Sequence, residues 1–508
     1  MWMKRAEELL RKYWGHSHFL PRQREIIASV LRGKDTLAIV ATGGGKSLCY
    51  QLPAVHLGGL TLVISPLISL MKDQVDDLNA RGIPAAAWNS FVEFRERTRI
   101  ESDLHNGALR LLFISPEKCM QPDFLRSLTR SAIRLIAIDE AHCISEWGHN
   151  FRPEYRQLSQ LKKVFPGIPV IALTATAIPE VRADICRQLR LQNTQQFIGS
   201  FNRENLHYQV IPKENPLVFL RNYAGQHRHD SGIIYCLTRT DTELVASELR
   251  KRGFRALAYH AGLPCQVREQ VQEAFIHDTI EIVCATVAFG MGIDKPDVRY
   301  VIHYTMPKSL ESYYQETGRA GRDGHVSECI LLYSSADVNR VRTLLGYDGA
   351  TPQNRRIALR KLQEMTGYCE ATGCRRHYLL RYFGEEYPRA NCGSCDTCNH
   401  PPRMEDCTAV ARTIVECVRQ LPGAFGTDLI SDVLRGSKSA KIRGYHLDLL
   451  PAYKTGKNFS KAQYRLWITE LIRQGFLIRN GDRYPVISLA ARSNELLKGG
   501  VRVVLPSS

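Results

Sequence analysis

Short apolar runs rich in β-forming residues alternate with helix-forming stretches up to about residue 345, and they fall into two series. The first series is Thr36–Val40, Leu60–Ile64, Arg110–Ile114, Leu135–Ile138 and Val170–Leu173. The second follows Asn205 and is Gly232–Cys236, Arg255–Tyr259, Ile280–Cys284, Tyr300–His303 and Glu328–Tyr333. Runs that are apolar on both faces indicate buried parallel strands with helices on either side. The sequence therefore predicts an α/β protein with two similar parallel-sheet domains in tandem.

The strand rhythm ends near residue 345, where a helical region that bears cysteines leads to a basic tail. We expect a first sheet domain at 1–205, a second at 206–345, a helical module at 346–402, a fourth domain at 403–495 and a short tail at 496–508. The 508 residues are 44% hydrophobic and 23% charged, which is typical of globular domains and not of a disordered chain.

The charge balance favours a polyanionic partner. Basic residues outnumber acidic ones by 68 to 51, and residues 401–508 alone contain 17 basic and 9 acidic residues. Nucleic acid is the first candidate, with a solubilising surface charge as the alternative. The sequence has neither an apolar signal core nor an apolar run of membrane-spanning length. We therefore expect an intracellular protein with no membrane partner, cytoplasmic and nucleoid-associated if the source is prokaryotic.

A glycine-rich segment, Ala41–Ser47, directly follows the first strand run. Its glycines let backbone amides approach phosphate oxygens, Lys46 would hold the β and γ phosphates, and the Ser47 hydroxyl would ligate Mg²⁺. Val40 stands where the strict phosphate-loop pattern has its first glycine, and a plain glycine turn is the alternative. The candidate nucleotide-binding residues of this segment are Thr42, Gly43, Gly44, Gly45, Lys46 and Ser47.

Asp139-Glu140-Ala141-His142 ends another strand run, so it falls at the carboxyl edge of the predicted sheet, where α/β proteins bind ligands. Asp139 suits the Mg²⁺ shell, and Glu140 would orient and deprotonate the attacking water. His142 would connect the nucleotide to a neighbouring segment such as Thr174–Thr176. Together with Lys46, this segment predicts ATP hydrolysis.

A third charged segment, Gln315–Arg322, lies far downstream in the second predicted domain. Arg319 and Arg322 are three residues apart, a spacing that can aim both guanidinium groups at one side of a helix turn. One of them is expected to act as an arginine finger when the two domains close over the nucleotide. A surface salt-bridge pair is the alternative. We count Gln315, Arg319 and Arg322 among the catalytic candidates.

Four of the fifteen cysteines are clustered, in the order Cys374-x17-Cys392-x2-Cys395-x2-Cys398. Close thiolates completed by a distant fourth ligand fit tetrahedral Zn²⁺, with redox or disulfide chemistry as the alternative. The other eleven are spread through the chain, and those in apolar segments, such as Cys143, are typical of a reducing compartment.

The basic tail has the pattern of a winged helix. Ser460–Gln463 has the form of a capping box and opens an apolar stripe at helical spacing, and Asn480-Gly481-Asp482 marks a hairpin turn between two β-forming runs. Lys461 and Arg465 lie off the stripe and are candidate phosphate contacts. Tyr484, an aromatic residue of the hairpin, is a candidate nucleic-acid contact.

In their order and their residues, these segments closely resemble the RecQ family of DNA helicases over about residues 15 to 490. The resemblance extends to Val63–Gln74, Ala172–Ala177 and Ala285–Val298. The resemblance implies two RecA-like domains, a zinc module and a winged helix, in an ATP-driven motor that moves 3′ to 5′ on single-stranded DNA. It implies ATP, Mg²⁺ and Zn²⁺ as cofactors and single-stranded, duplex and branched DNA as substrates in repair and recombination. A single-stranded DNA-binding protein is the candidate protein partner. The further helical domain of many members is expected to be absent.

Two segments depart from the family pattern. Glu146–Tyr155 resembles the family's aromatic loop, in which Trp147, Phe151 and Arg152 would contact bases, with core packing as the alternative for Trp147 and Phe151. Asn150 stands where the family usually has Asp. Phe19–Gln23 resembles the adenine-recognition motif and keeps Gln23 as the expected adenine contact. Leu20 and Arg22 replace its arginine and glycine, and we expect Arg22 or Arg24 to take over the role of the missing arginine.

Two other functional classes remain open. The chain could be a DNA-stimulated ATPase that remodels or anneals DNA without unwinding it. It could also be a zinc and winged-helix binding module whose motor is impaired by Leu20 and Asn150. An RNA helicase is a weaker alternative, because the loop around Trp147 and the zinc cluster are not typical of RNA motors.

Overall fold

The computed structural model of the chain describes residues 2–66, 68–89, 92–148, 151–290, 295–347, 351–401, 403–480 and 486–507. By internal contacts it divides into two compact units. The first comprises residues 1–207, 211–334 and 380–387, and it contains both large sheets apart from residues 208–210 of one edge strand. The second comprises residues 208–210, 335–379 and 388–508.

The first domain is built on a seven-stranded sheet with the order β3-β4-β2-β5-β6-β1-β7, paired in parallel throughout. Its strands are β1 Thr36–Ile39, β2 Leu60–Ile64, β3 Ala85–Trp88, β4 Leu111–Ile114, β5 Ile133–Ile138, β6 Val170–Thr174 and β7 Gln195–Ile198. Its helices are α1 Trp2–Leu9, α2 Gln23–Leu31, α3 Leu48–Leu57, α4 Ile68–Ala80, α5 Phe94–His105, α6 Pro116–Cys119, α7 Pro122–Leu128, α8 Pro153–Gln157, α9 Leu161–Val164 and α10 Pro179–Gln188. Since β5, β6 and β1 are neighbours, the segments that follow them meet at one sheet edge.

The second domain has a six-stranded sheet with the order β10-β11-β9-β12-β13-β8. Its strands are β8 Leu206–Pro212, β9 Ser231–Tyr235, β10 Ala256–Tyr259, β11 Ile282–Ala285, β12 Val298–His303 and β13 Ser327–Tyr333. Its helices are α11 Pro216–Gln226, α12 Arg239–Arg250, α13 Cys265–Ile276 and α14 Leu310–Thr317. The inner strands are almost fully buried, as continuous apolar runs require. The predicted tandem parallel-sheet architecture is confirmed.

The remaining chain is mostly helical. Its elements are α15 Ser335–Tyr347, α16 Pro352–Glu370, α17 Arg375–Tyr382, α18 Asp396–Asn399, β14 Met404–Asp406, α19 Thr408–Gln420, α20 Thr427–Arg435, α21 Ala440–Gly444, α22 Lys461–Arg473, β15 Leu477–Asn480, β16 Val486–Leu489, α23 Ser493–Leu497 and β17 Val504–Pro506. Helices α19, α20 and α22 enclose one apolar core with the antiparallel β15–β16 hairpin, which confirms the winged-helix architecture. Strand β17, from the predicted short tail, pairs with β14.

All ten strands predicted from apolar runs are present, and three edge strands of the two large sheets were missed. Strand β3 is Ala-Ala-Ala-Trp, and alanine is a poor β-former. Strand β7 is polar and largely exposed, and β8 alternates without a continuous apolar run. These edge strands form because they pair with a neighbouring strand, and a search for apolar runs does not detect such pairing.

Two sequence expectations about environment can be compared directly with the fold. No helix in the described part of the chain is long and apolar enough to cross a membrane. All fifteen cysteines are free thiols, so the disulfide alternative for the clustered cysteines has no support in the described residues.

Candidate nucleotide site and zinc centre

The glycine-rich segment 41–47 forms a tight loop between β1 and α3. Gly43 and Gly45 adopt left-handed backbone angles, with φ of +82° and +69°, which glycine adopts without strain. A Cβ on Gly45 would lie only 2.3 Å from the Gln23 amide nitrogen. That nitrogen donates to the Gly45 carbonyl at 3.0 Å, while the Gln23 side-chain oxygen accepts from Leu20 N at 2.8 Å. Gln23, the expected adenine contact, therefore braces the loop in this structure.

Three charged groups meet beside this loop, although they come from distant parts of the sequence. Lys46 Nζ donates to Glu140 Oε1 at 3.0 Å, and Asp139 Oδ1 accepts from the Glu140 amide at 2.9 Å. Burial works to lower the pKa of Lys46, but the carboxylates of Glu140 and Asp139 outweigh it and the pKa rises. Burial also disfavours the Glu140 carboxylate, yet Lys46 and His142 hold its pKa well below its usual range. The pair is therefore fully ionised.

Asp139 lies at the end of β5, as predicted, and its side chain is buried. Burial raises the pKa of Asp139 to about 6 against the opposing effect of Lys46. A buried carboxylate beside a lysine and a hydroxyl-bearing Ser47 is a donor set that suits Mg²⁺, which takes oxygen ligands and retains several waters. The residues present therefore fit a magnesium–nucleotide complex.

His142 makes the predicted contact with the next strand. Its Nδ1 lies 2.8 Å from the Thr174 hydroxyl and 3.2 Å from Glu140 Oε2. Burial opposes protonation, but Cys143 and Glu140 favour the imidazolium and raise the pKa of His142 to about 9. His142 thus joins Glu140 to the end of β6.

The two arginines of segment 318–322 have different surroundings. A Cβ on Gly43 would lie 3.7 Å from Arg322 Cγ, so Arg322 lies directly against the phosphate loop. Arg319 is 6% exposed, and its guanidinium packs within 2.5 Å of a Cβ position on Gly290. It also hydrogen-bonds the Tyr235 hydroxyl inside the second domain. Gln315 is half-buried on α14, in the turn before this segment.

The aromatic loop is connected to the turn that follows Asp139. A Cβ on Gly148 would lie 2.2 Å from the His142 carbonyl oxygen, so the backbones touch there. The Arg152 amide donates to the Cys143 carbonyl at 2.9 Å. Trp147 and Phe151 are partly buried. Asn150 lies outside the described residues.

Arg22 and Arg24 form ion pairs at the start of α2. Arg22 contacts Glu25 at 3.8 Å, and Arg24 contacts Glu7 at 3.6 Å. Arg22 also adopts a left-handed backbone with φ of 71°. The glycine that the family has at this position adopts that conformation without strain.

The four clustered cysteines converge, as their spacing predicts. The sulfur atoms of Cys374, Cys392, Cys395 and Cys398 all lie within 4.8 Å of one another. A hydrogen bond from Cys374 is the main cause that lowers the pKa of Cys395 to about 4, and Thr397 contributes. Four cysteine sulfur atoms this close together fit Zn²⁺, which cysteine thiolates bind in structural sites. Arg375 supports the centre by pairing with Asp396 at 3.0 Å.

The winged-helix candidates have a more mixed outcome. Lys461 pairs with Asp432 at 3.0 Å, and Arg465 pairs with Asp428 at 2.6 Å, so acidic neighbours neutralise both charges. The connection between α20 and α22 bears exposed basic side chains that form no ion pair within the described residues: Lys438, Lys441, Arg443, Lys454 and Lys457. Sequence reasoning missed this group because it weighed the α22 stripe and the hairpin and not the connection before them, in which Lys441 and Arg443 lie on the short helix α21. Tyr484 lies outside the described residues.

Arg203 is a second residue that sequence reasoning missed. It lies between β7 and β8 and donates to the carbonyl oxygen of Thr42 at 3.2 Å and to those of Ala320 and Gly321 at 3.1 and 2.7 Å. The phosphate loop and the arginine segment thus share one guanidinium. A lone arginine near a domain boundary has no motif that would distinguish it.

Two parallel-sheet domains with a phosphate loop, paired carboxylates and an arginine segment define the class of ATP-driven helicase motors. Family models match in chain order: DEAD/DEAH box helicase over residues 20–185, helicase conserved C-terminal domain over 215–324, RecQ zinc-binding over 335–399 and RQC domain over 401–508.

Individual relatives agree with these matches. The ATP-dependent DNA helicase RecQ of Pasteurella multocida is 44% identical over 495 residues, which cover 97% of this chain and 78% of that protein. The Bacillus subtilis protein of the same name is 41% identical over 503 residues, covering 99% of this chain and 85% of that protein. The chain belongs to the RecQ family of ATP-dependent DNA helicases. This membership confirms the predicted cofactors, ATP with Mg²⁺ and Zn²⁺.

A solved structure shares the fold at lower sequence similarity. The Mycobacterium smegmatis helicase Lhr, bound to single-stranded DNA and AMP-PNP, matches with a TM-score of 0.54 and 17% identity. The match covers 98% of this chain and 62% of that one.

Proposed function

We propose that this RecQ-family helicase translocates 3′ to 5′ on single-stranded DNA and unwinds duplex and branched DNA in repair and recombination. The observation that supports a motor most directly is the approach of Arg322, in the second domain, to the phosphate loop of the first. When groups from two domains contact the same phosphate, nucleotide binding closes the cleft between the domains and hydrolysis opens it. The polarity comes from the family resemblance alone.

The catalytic roles follow from the charges and contacts. With nucleotide bound, Lys46 would exchange its ion pair with Glu140 for the β and γ phosphates, and Ser47 and Asp139 would hold Mg²⁺. Glu140, freed from Lys46, would accept a proton from the attacking water. His142 contacts both Glu140 and Thr174, so a shift of Glu140 would be transmitted to the end of β6. Arg322 acts as the arginine finger, and Gln315 and Arg319 are the other catalytic candidates of this segment. Gln23 and the loop residues Thr42, Gly43, Gly44 and Gly45 bind the nucleotide.

The DNA contacts are assigned to two surfaces. Trp147, Phe151 and Arg152 form the aromatic loop, which senses single-stranded DNA and reports to the hydrolytic site through the backbone contact at Gly148. The winged helix holds the duplex phosphates. The exposed basic residues at 438–457 are better phosphate contacts than Lys461 and Arg465, because the latter two already have carboxylate partners.

Strand displacement tests this proposal. One duplex is prepared with a 3′ or a 5′ single-stranded tail, with ATP and Mg²⁺, and Lys46→Ala serves as the blank. We expect displacement from the 3′ tail only. Displacement from the 5′ tail would overturn the polarity. DNA-stimulated hydrolysis without displacement would favour the remodelling or annealing ATPase, and hydrolysis that does not respond to DNA would favour the binding module.

A further inference from the structure

Arg203 lies on a short linker that passes from one sheet domain to the other. The Gly199 amide still donates to Ile39 O in the first domain at 2.8 Å. Two residues later, the Phe201 carbonyl accepts from the Tyr314 hydroxyl at 3.1 Å, and the Phe201 ring packs against Tyr314 at 5.8 Å. The chain therefore changes domain at residues 199–201.

The linker beyond this point is fixed to the arginine segment. Asn205 donates from its side chain to the carbonyl oxygens of Gly321 and His325, each at 2.8 Å, and its own carbonyl accepts from the Ser327 amide at 2.9 Å. Arg203 adds two donors to the carbonyls of Ala320 and Gly321. Because several hydrogen bonds connect them, residues 203–205 and 320–327 form one rigid body.

Arg203 also donates to the Asn205 side-chain oxygen at 3.3 Å within this body, but one further hydrogen bond of Arg203 leaves it. It reaches the Thr42 carbonyl of the phosphate loop at 3.2 Å, next to Gly43, where a Cβ would lie 3.8 Å from the same guanidinium. A planar guanidinium can serve several acceptors at fixed angles, which a lysine ammonium on a flexible stem does not reproduce. When the cleft opens, the two bonds to the arginine segment can persist while the bond to Thr42 breaks.

We infer that Arg203 is a positioning residue that couples the phosphate loop to the arginine segment, so that a change at Thr42 on nucleotide binding moves Arg322. The hydrogen bonds from Arg203 to Thr42, Ala320 and Gly321 all go to backbone carbonyl oxygens, so its effect passes through the backbone of both segments. The inference rests on the nucleotide site proposed above.

Hydrogen–deuterium exchange with and without AMP-PNP and Mg²⁺ tests the coupling, on the full chain. In the parent protein, nucleotide should protect the amides of both 41–47 and 318–322. In Arg203→Ala and Arg203→Gln, protection should remain at 41–47 and disappear at 318–322. ATPase kcat should fall roughly tenfold or more, the effect of losing a charge-assisted hydrogen bond in the closed state. Arg203→Lys should not restore it.

Controls separate coupling from general damage. Arg126→Gln removes an exposed arginine of the first domain, which pairs only with Asp123 among the described ion pairs, and should behave as the parent. Unchanged protection and kcat in Arg203→Ala would overturn the inference. Absence of protection at 41–47 in the parent would instead overturn the nucleotide site itself.

Discussion

The groups of the nucleotide site come from distant segments, whereas the four cysteines of the zinc centre lie within residues 374–398. Lys46, Glu140 and Arg322 reach one another only through the sheet order and the meeting of two domains. Their bonds are exchangeable, because Lys46 has a carboxylate partner that a phosphate can replace. The cysteine sulfurs already lie within 4.8 Å of one another. A dispersed site can change state with its domains, and a local one acts as a fixed support.

The largest effect should come from breaking the local site. Cys395→Ser removes one thiolate, and structural zinc contributes about 10–16 kcal/mol to folding in small peptides. We expect bound zinc near zero by metal analysis, and rapid amide exchange over 374–398. Cys265→Ser, at an exposed cysteine outside the cluster, is the matched control and should keep its zinc. Full zinc occupancy in Cys395→Ser would reject this ligand set.

The next effect separates the two arginines of the dispersed site. Arg322→Ala should lower ATPase kcat by roughly 10³ or more, the range of arginine fingers, with little change in melting temperature. Arg319→Ala should instead lower the stability by about 1–3 kcal/mol, because its buried guanidinium contacts Gly290 and Tyr235. Steady-state hydrolysis and thermal unfolding measure the two. If the two variants lose the same kcat and have the same stability, the different surroundings of Arg319 and Arg322 do not give them different roles.

A smaller effect concerns the basic surface of the winged helix. Replacing Lys438, Lys441 and Arg443 together by alanine should weaken duplex binding and flatten its log–log salt dependence by about 0.9 for each phosphate that is no longer neutralised. Lys461→Ala and Arg465→Ala should change the slope little, since Asp432 and Asp428 already neutralise them. Fluorescence anisotropy over a salt series measures both. If Lys461→Ala and Arg465→Ala change the slope more than the triple variant does, Lys461 and Arg465 are the phosphate contacts, as the sequence predicted.

The smallest effect is expected at the start of α2. Arg22→Gly removes a side chain from a left-handed backbone position and should stabilise the protein by about 1 kcal/mol, the cost of that conformation for a residue with a Cβ. Thermal unfolding measures the stability, and nucleotide titration tests the adenine contact proposed for Arg22 or Arg24. Unchanged nucleotide affinity in Arg22→Ala and Arg24→Ala would exclude that contact.

The sequence by itself predicted the features that depend on local chemistry. Apolar runs predicted ten strands because an inner parallel strand is buried on both faces, and cysteine spacing predicted the zinc centre because its ligands are close in the chain. The capping box predicted the start of α22, where Ser460 accepts from the Gln463 amide at 3.1 Å. Resemblance to the family supplied the order of the charged segments.

Tertiary structure decided the features that depend on partners far away in the chain. It neutralised Lys461 and Arg465 with acidic residues of α20, and it gave Arg319 and Arg322 different neighbours despite their three-residue spacing. It also brought Arg203 between Thr42 and Gly321, a role that no local pattern indicates. A side chain's charge and reach are set by its own chemistry, but which group it meets is set by how separate segments pack together.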